Sequence, residues 1–274
     1  MIAAALSVPV MHQLRLFFVA LQFFTRVPVP RWVGFEPAWL QQCARYFPLV
    51  GLVVGGFSAL VLWAAQLVFP ATVAVGLAMA ASVWLTGGFH EDGLADSCDA
   101  LGGAVSREKA LAIMKDSRIG SYGALGLILV LGLKATVLLG LVDTDPTLAL
   151  LAVVWAHVAS RAAPVWLLHA LPYAGDAEHA KAKPLATQIS GPGLTIALGL
   201  VIVASLVGAW LMPENVPLML GAVVVSAGLT FYMQSMLDRR LHGYTGDTLG
   251  ATQQIVELGA LMAFLALAPL FPAE

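Results

Sequence analysis

The chain has 274 residues, of which 59% are hydrophobic and 11% charged, and its mean hydropathy is +0.86. A soluble domain carries about 25% charged residues, so this chain lacks the polar groups to coat a water-facing surface. Fourteen Lys and Arg against sixteen Asp and Glu give a net charge of −2, and Cys43 and Cys98 are the two cysteines, which excludes a nucleic-acid grip, intrinsic disorder and a disulfide scaffold.

An all-α, polytopic membrane protein is expected, read as one integral membrane domain over residues 1–274, with the lipid bilayer as its surroundings and no nucleic-acid partner. In chain order, residues 1–11 are apolar but too short to cross, and no basic segment precedes them, as a cleaved signal peptide would require. Ten uncharged positions lie between Arg15 and Arg26, a length that suits an amphipathic helix lying in the membrane interface. Insertion of residues 1–30 as a hairpin is the alternative.

From Tyr46 to Phe89, 44 positions carry no Asp, Glu, Lys, Arg or His, about twice the length one crossing of a core roughly 30 Å thick requires. The pair Phe69-Pro70 divides this run into spans near 47–69 and 71–88. Further spans are expected near 121–142, 147–170, 192–212, 215–237 and 249–271, which makes seven. All must be helical, because lipid leaves backbone polar groups no partner outside their own segment.

Charge then sets topology. If every span reverses direction, segments 12–46, 90–120, 171–191 and 238–248 share one side and hold twelve Lys and Arg, including Lys181 and Lys183. The opposite side holds none, so the charged side is expected to be cytoplasmic. Both cysteines fall on it, and free thiols are expected.

Most polar chemistry lies in the loop starting Gly87-Gly88-Phe89-His90-Glu91-Asp92-Gly93-Leu94-Ala95-Asp96-Ser97-Cys98-Asp99. Asp92, Asp96 and Asp99 are spaced i, i+4, i+7 and share one face of a helix; Glu91 adjoins the start of that face. Carboxylates about 6 Å apart repel by roughly 3 kcal/mol per pair at an effective dielectric near 20. Such a stack needs cations: either a Mg²⁺ completed by substrate phosphates, or neutralisation as a solvated face by Arg107, Lys109, Lys115 and Arg118.

Downstream, Lys115 and Arg118 are either phosphate ligands or charges flanking a span. Gly120 and Gly123 would let a ligand approach a helix N-terminus. In Gly243-Tyr244-Thr245-Gly246-Asp247-Thr248, a tight polar turn could receive an anion; a helix cap from Asp247 or Thr248 is equally consistent. Within the spans, Lys134, Arg161 and Glu257 should face the bundle interior in pairs. A Glu257–Arg161 or Glu257–Lys134 bridge is expected there, with an ion or proton pathway as the alternative. His169, near a helix end, is expected at the interface.

Together these blocks resemble the cobalamin synthase (adenosylcobinamide-GDP ribazoletransferase) family. The resemblance rests on residues 87–96, Met114-Lys115-Asp116-Ser117-Arg118-Ile119-Gly120, and 243–251. Ser160-Arg161-Ala162-Ala163-Pro164, Leu171-Pro172-Tyr173-Ala174 and Phe23-Thr25-Arg26-Pro28-Pro30 also carry it. Cys98, where many relatives have a small residue, is a departure that should not affect ligation.

The resemblance implies a Mg²⁺-dependent, multi-pass enzyme of the bacterial inner membrane, with its active site on the cytoplasmic face. Its substrates would be adenosylcobinamide-GDP and α-ribazole or α-ribazole 5′-phosphate, and GMP would be released as the ribose 3′-hydroxyl attacks the cobinamide-linked phosphorus. On this reading Glu91, Asp92, Asp96 and Asp99 are the metal ligands. Lys115 and Arg118 stabilise the leaving GMP, and Asp116 or Asp247 is the base. Gly120, Gly243, Thr245 and Gly246 complete substrate binding with Lys115 and Arg118. A homo-oligomer is left open. Two other classes stay in view: a CDP-alcohol-type lipid head-group transferase, whose motif would need Ala-Arg where this chain has Ala95-Asp96, and a transporter built on Lys134, Arg161 and Glu257.

Overall fold

A computed structural model describes residues 2–175 and 186–271. Lys181 and Lys183 of the charge partition lie outside the described residues. Among the described residues, twelve α-helices form the fold: α1 (Ile2–Phe24), α2 (Pro37–Cys43), α3 (Phe47–Gln66), α4 (Ala71–Thr86), α5 (Phe89–Leu101), α6 (Arg107–Met114), α7 (Ser121–Thr144), α8 (Pro146–Ser160), α9 (Ala162–Ala170), α10 (Gly191–Leu211), α11 (Val216–Leu241) and α12 (Gly246–Leu267). Among the described residues the β contact is a parallel bridge between Tyr173 and Tyr244.

Among the described residues, six segments are long and apolar enough to cross a membrane: Pro37–Gln66, Ser121–Thr144, Pro146–Ala170, Gly191–Leu211, Pro213–Leu241 and Gly246–Leu270. The expected seventh span, 71–88, is α4, a helix of 16 residues, about 24 Å long at 1.5 Å per residue. It reaches spanning length only together with α5, and the two are bent by 89°. Gly87 and Gly88 make the elbow at φ 71° and 73°, a region costly for any residue with a Cβ. The chain is therefore a polytopic, all-α membrane protein whose fourth helix turns sharply before the acidic loop.

Burial separates the helices into a centre and a periphery. The most apolar stretch of Pro146–Ala170 is 83% buried, against 17% for Gly191–Leu211. The central α8 packs on α3 and α12, and α12 also packs on α5, α7, α9 and α11. Large apolar side chains such as Leu60, Ile128, Leu206 and Val224 are exposed on the outer helices, the arrangement expected where lipid rather than water is the solvent.

The N-terminal segment is one continuous 23-residue helix, longer than the ten-position stretch expected and not a hairpin. Leu16, Val19, Ala20 and Phe24 are buried where α1 packs on α2 and α3. Val10, Met11, Leu14 and Phe23 are exposed, so the outward side of the helix is apolar at these positions rather than polar as an amphipathic helix would present. Its described apolar part, Val10–Phe24, is too short to count as a span.

Candidate active site

Three features of the local sequence build the site. After the glycine elbow, α5 begins with its acidic residues in the first turns, so Asp92 and Asp96 project from one face. The packing of α5 on α12 is close at Gly93: a Cβ there would lie 2.7 Å from the carbonyl oxygen of Asp247. That contact sets the start of α12 beside the start of α5. Thr245 caps α12 through a reciprocal capping box, its Oγ1 accepting from Thr248 N while Thr248 Oγ1 accepts from Thr245 N. The turn at 243–248 is thus a helix cap, made by Thr245 and Thr248 rather than by Asp247.

These elements enclose a cavity of about 740 Å³. Its polar wall carries Asp92, Asp96, Asp116, Asp247, Arg107, Lys115 and Arg161; Phe23, Phe24, Phe47 and Phe89 form much of its apolar wall. All four segments that the charge pattern assigned to one side supply lining residues, so they meet at one end of the bundle. A second recess of about 540 Å³ shares Phe89, Asp92, Asp96 and Ser117 with the first. Asp92 and Asp96 therefore stand on the seam between two openings.

The structure does not bring every expected site residue to that seam. Asp99 turns toward α7, where Oδ2 accepts from Gly120 N at 2.7 Å and Oδ1 from Gly123 N at 2.8 Å. It lines neither cavity, and it uses the Gly120 amide that was expected to meet substrate. A Cβ on either glycine would collide with Asp99 at 2.4 Å, so these glycines admit a carboxylate from within the chain. Glu91 faces the bundle interior, accepting from Gln254 Nε2 at 3.1 Å, and forms part of the recess wall.

Helix α6 stops at Met114, so Lys115 and Arg118 are not on a common helix. Lys115 lines the cavity. Arg118 folds back on Asp116, Nη2 to Oδ2 at 2.6 Å with its side chain 86% exposed, and this carboxylate raises the arginine's pKa further above its ordinary value. Gly243, at φ 153°, packs against Pro172 O and lies outside the cavity lining. Thr245, Gly246 and Asp247 do line it.

Several contributors lay beyond the motif reading. The aromatic wall from Phe23, Phe24 and Phe47 comes from residues distant in sequence from the acidic loop, although Phe23 stood in one of the quoted blocks. Tyr244 is held by its bridge to Tyr173 and donates its hydroxyl to Thr187 O at 2.8 Å; burial pushes its phenol above the usual range, keeping it a donor. Arg107, expected among the flanking charges, donates Nε to Leu241 O at 2.7 Å, which ties α6 to the end of α11.

Behind the cavity the membrane-embedded charges close on one another. Lys134 pairs with Glu257, the second of the two bridges expected, and His157 Nδ1 lies 3.1 Å from Glu257 Oε2. Arg161 instead donates Nη1 to His157 O at 3.1 Å and reaches the cavity wall. Gln253 and Gln254 link this cluster to Glu91. His169 is exposed at the end of α9. Cys43 and Cys98 are free thiols.

Among the described residues, no three His, Cys, Asp or Glu side chains form a group that could hold a metal by themselves. Asp92 and Asp96 nevertheless fit a Mg²⁺ of the kind held by one or two carboxylates with substrate phosphates and water completing the shell.

The model of the cobalamin-5-phosphate synthase family matches residues 16–265. The chain belongs to this family. It is 60% identical over 255 residues to the adenosylcobinamide-GDP ribazoletransferase of Leptothrix cholodnii, covering 93% of this chain and 96% of the relative. The protein of the same name from Shewanella frigidimarina is 43% identical over 93% and 96% of the two chains, and that from Shewanella oneidensis 44% over 90% and 92%. No solved structure matches. Membership of the cobalamin-5-phosphate synthase family makes this chain an enzyme of cobalamin biosynthesis that transfers a phosphate-containing group.

Proposed function

We propose that the enzyme transfers adenosylcobinamide phosphate from adenosylcobinamide-GDP to α-ribazole or its 5′-phosphate, releasing GMP, and that Mg²⁺ is required. The observation carrying this reading is that Asp92 and Asp96 stand one helical turn apart on the seam of the cavity, with Lys115 and Asp247 in the same wall. A diphosphate needs cationic neutralisation and a hydroxyl nucleophile needs a base; both are at hand.

Asp92 and Asp96 would hold the metal, which when bound would offset diphosphate charge and polarise the reacting phosphorus. Lys115 neutralises charge gathering on the departing GMP phosphate, a preorganised contact in a site partly closed to water. The ribose 3′-oxygen forms a bond to the cobinamide-linked phosphorus as that phosphorus loses its bond to the GMP oxygen, which leaves with the electron pair. The hydroxyl proton passes to Asp247, which stands beside Asp92; Asp116 is committed to Arg118. In this reading Asp99 and Glu91 support the acidic helix, and Arg118 is held by Asp116. The positive-inside pattern supports a cytoplasmic site in a bacterial inner membrane.

The test is GMP release from adenosylcobinamide-GDP and α-ribazole by the purified protein in proteoliposomes. Activity should depend on Mg²⁺ and disappear in EDTA. Full turnover in EDTA would overturn the metal assignment, and activity only with CDP-activated lipid precursors would overturn the substrate assignment.

A further inference from the structure

The two openings that meet at Asp92 and Asp96 differ in size and charge. The larger carries Arg107, Lys115 and Arg161 in its wall. The smaller carries no Lys or Arg among its described lining residues; Glu91, Thr86 and Ser117 give it polar points, and Ala95, Ile119 and Leu127 an apolar surface. Displacement at phosphorus brings nucleophile and leaving group roughly into line on opposite sides. A single pocket open on one side of the carboxylates would force both through the same space.

We infer that the smaller recess, between the glycine elbow, the start of α7 and the outer face of α5, is the binding site for the acceptor nucleoside. The inference rests on the proposed function and assigns its two substrates to two places. Charge supports the division: the anionic diphosphate of the donor goes where the cations are. The uncharged base and ribose of the acceptor occupy a wall that offers apolar contact, hydroxyls and carboxylates. At about 540 Å³ the recess lies within the roughly 300–1,000 Å³ typical of small-molecule pockets, which suits one nucleoside. The ribose 3′-hydroxyl then reaches the phosphorus at the seam, where Asp92 adjoins Asp247 of the larger cavity, and GMP departs into the larger cavity.

Arg118, 86% exposed, lies in the chain between the recess-lining residues Ser117 and Ile119 and pairs with Asp116, a lining residue of the larger cavity. Released from Asp116, its guanidinium would meet the 5′-phosphate when the acceptor carries one. This moves Arg118 from the leaving group to the opposite substrate.

The assignment is tested by filling each opening separately. Leu127 lines only the recess and Leu111 only the larger cavity. In wild-type protein and in Leu127→Trp and Leu111→Trp, KM is measured for each substrate from GMP release. Corrinoid binding without acceptor is measured by equilibrium dialysis in lipid nanodiscs. Leu127→Trp should raise KM for α-ribazole by about tenfold or more while leaving donor binding within about twofold; Leu111→Trp should do the reverse. Arg118→Ala should raise KM for α-ribazole 5′-phosphate and leave that for α-ribazole unchanged. If Leu127→Trp impairs both constants, the smaller Leu127→Phe decides: the two must separate there, and joint movement overturns the assignment. A donor-only effect of either Leu127 variant also overturns it. Absence of GMP from the wild-type protein would instead overturn the proposed function.

Discussion

At the scale of single residues, the acidic helix divides its labour by direction. Asp92 and Asp96 face the cavities, whereas Asp99, three residues on, has both oxygens engaged by backbone amides of α7. Asp92→Asn and Asp96→Asn keep size and lose charge, so each should lower GMP release by about 10³-fold or more if metal holding is lost, with membrane insertion intact by protease mapping. Asp99→Ala predicts a different outcome. It leaves Gly120 N and Gly123 N without their acceptor, and an unsatisfied buried donor costs about 1–3 kcal/mol. The thermal midpoint should fall more than KM for either substrate changes. Sequence spacing placed all three on one helical face; the second partner of each carboxylate was not in the spacing, because it comes from α7 or from a cavity wall.

At the scale of elements, the elbow between α4 and α5 decides where the acids go. Gly88 has space for a Cβ, with Val83 Cγ1 the nearest atom at 4.0 Å, so the cost of Gly88→Ala is conformational. Holding a residue with a Cβ at φ 73° costs on the order of 1–3 kcal/mol. The variant should show a lower thermal midpoint and reduced GMP release as α5 swings off the seam. Gly93→Leu should be worse, because α12 backbone occupies the space. The Gly-Gly pair stood in the sequence at the start of the acidic loop, yet the 89° bend was not legible there, since it depends on α5 docking against α12. The same dependence bears on the expected seventh span: hydropathy counted 71–88 as a crossing, and α4, with 16 residues, reaches spanning length together with α5 across the 89° bend.

At the scale of the whole molecule, the buried pair Lys134–Glu257 joins α7 to α12 across the bundle centre. Removing one partner strands the other charge, so Lys134→Met should destabilise by roughly 3–5 kcal/mol. Lys134→Met combined with Glu257→Gln should recover most of that loss in the same detergent-melting assay, which would distinguish a structural pair from a transport relay. Sidedness has its own check. In a Cys43→Ser/Cys98→Ser background, single cysteines replacing Arg118 and Asp145 should react with an impermeant thiol reagent from opposite faces of sealed vesicles. Labelling from the same face would sink the topology.

Helicity, the approximate crossings and the sharing of one side by four polar segments followed from the sequence, because apolar length and charge placement relative to lipid are properties of each segment by itself. The family followed from ordered local blocks for the same reason. Which carboxylates face substrate, which glycines receive a neighbour instead of a ligand, and how two cavities come to share Asp92 and Asp96 were decided by the tertiary structure. Those outcomes depend on contacts among α5, α7 and α12, and a side chain's partner across such a contact is set by packing, not by its neighbours in the chain.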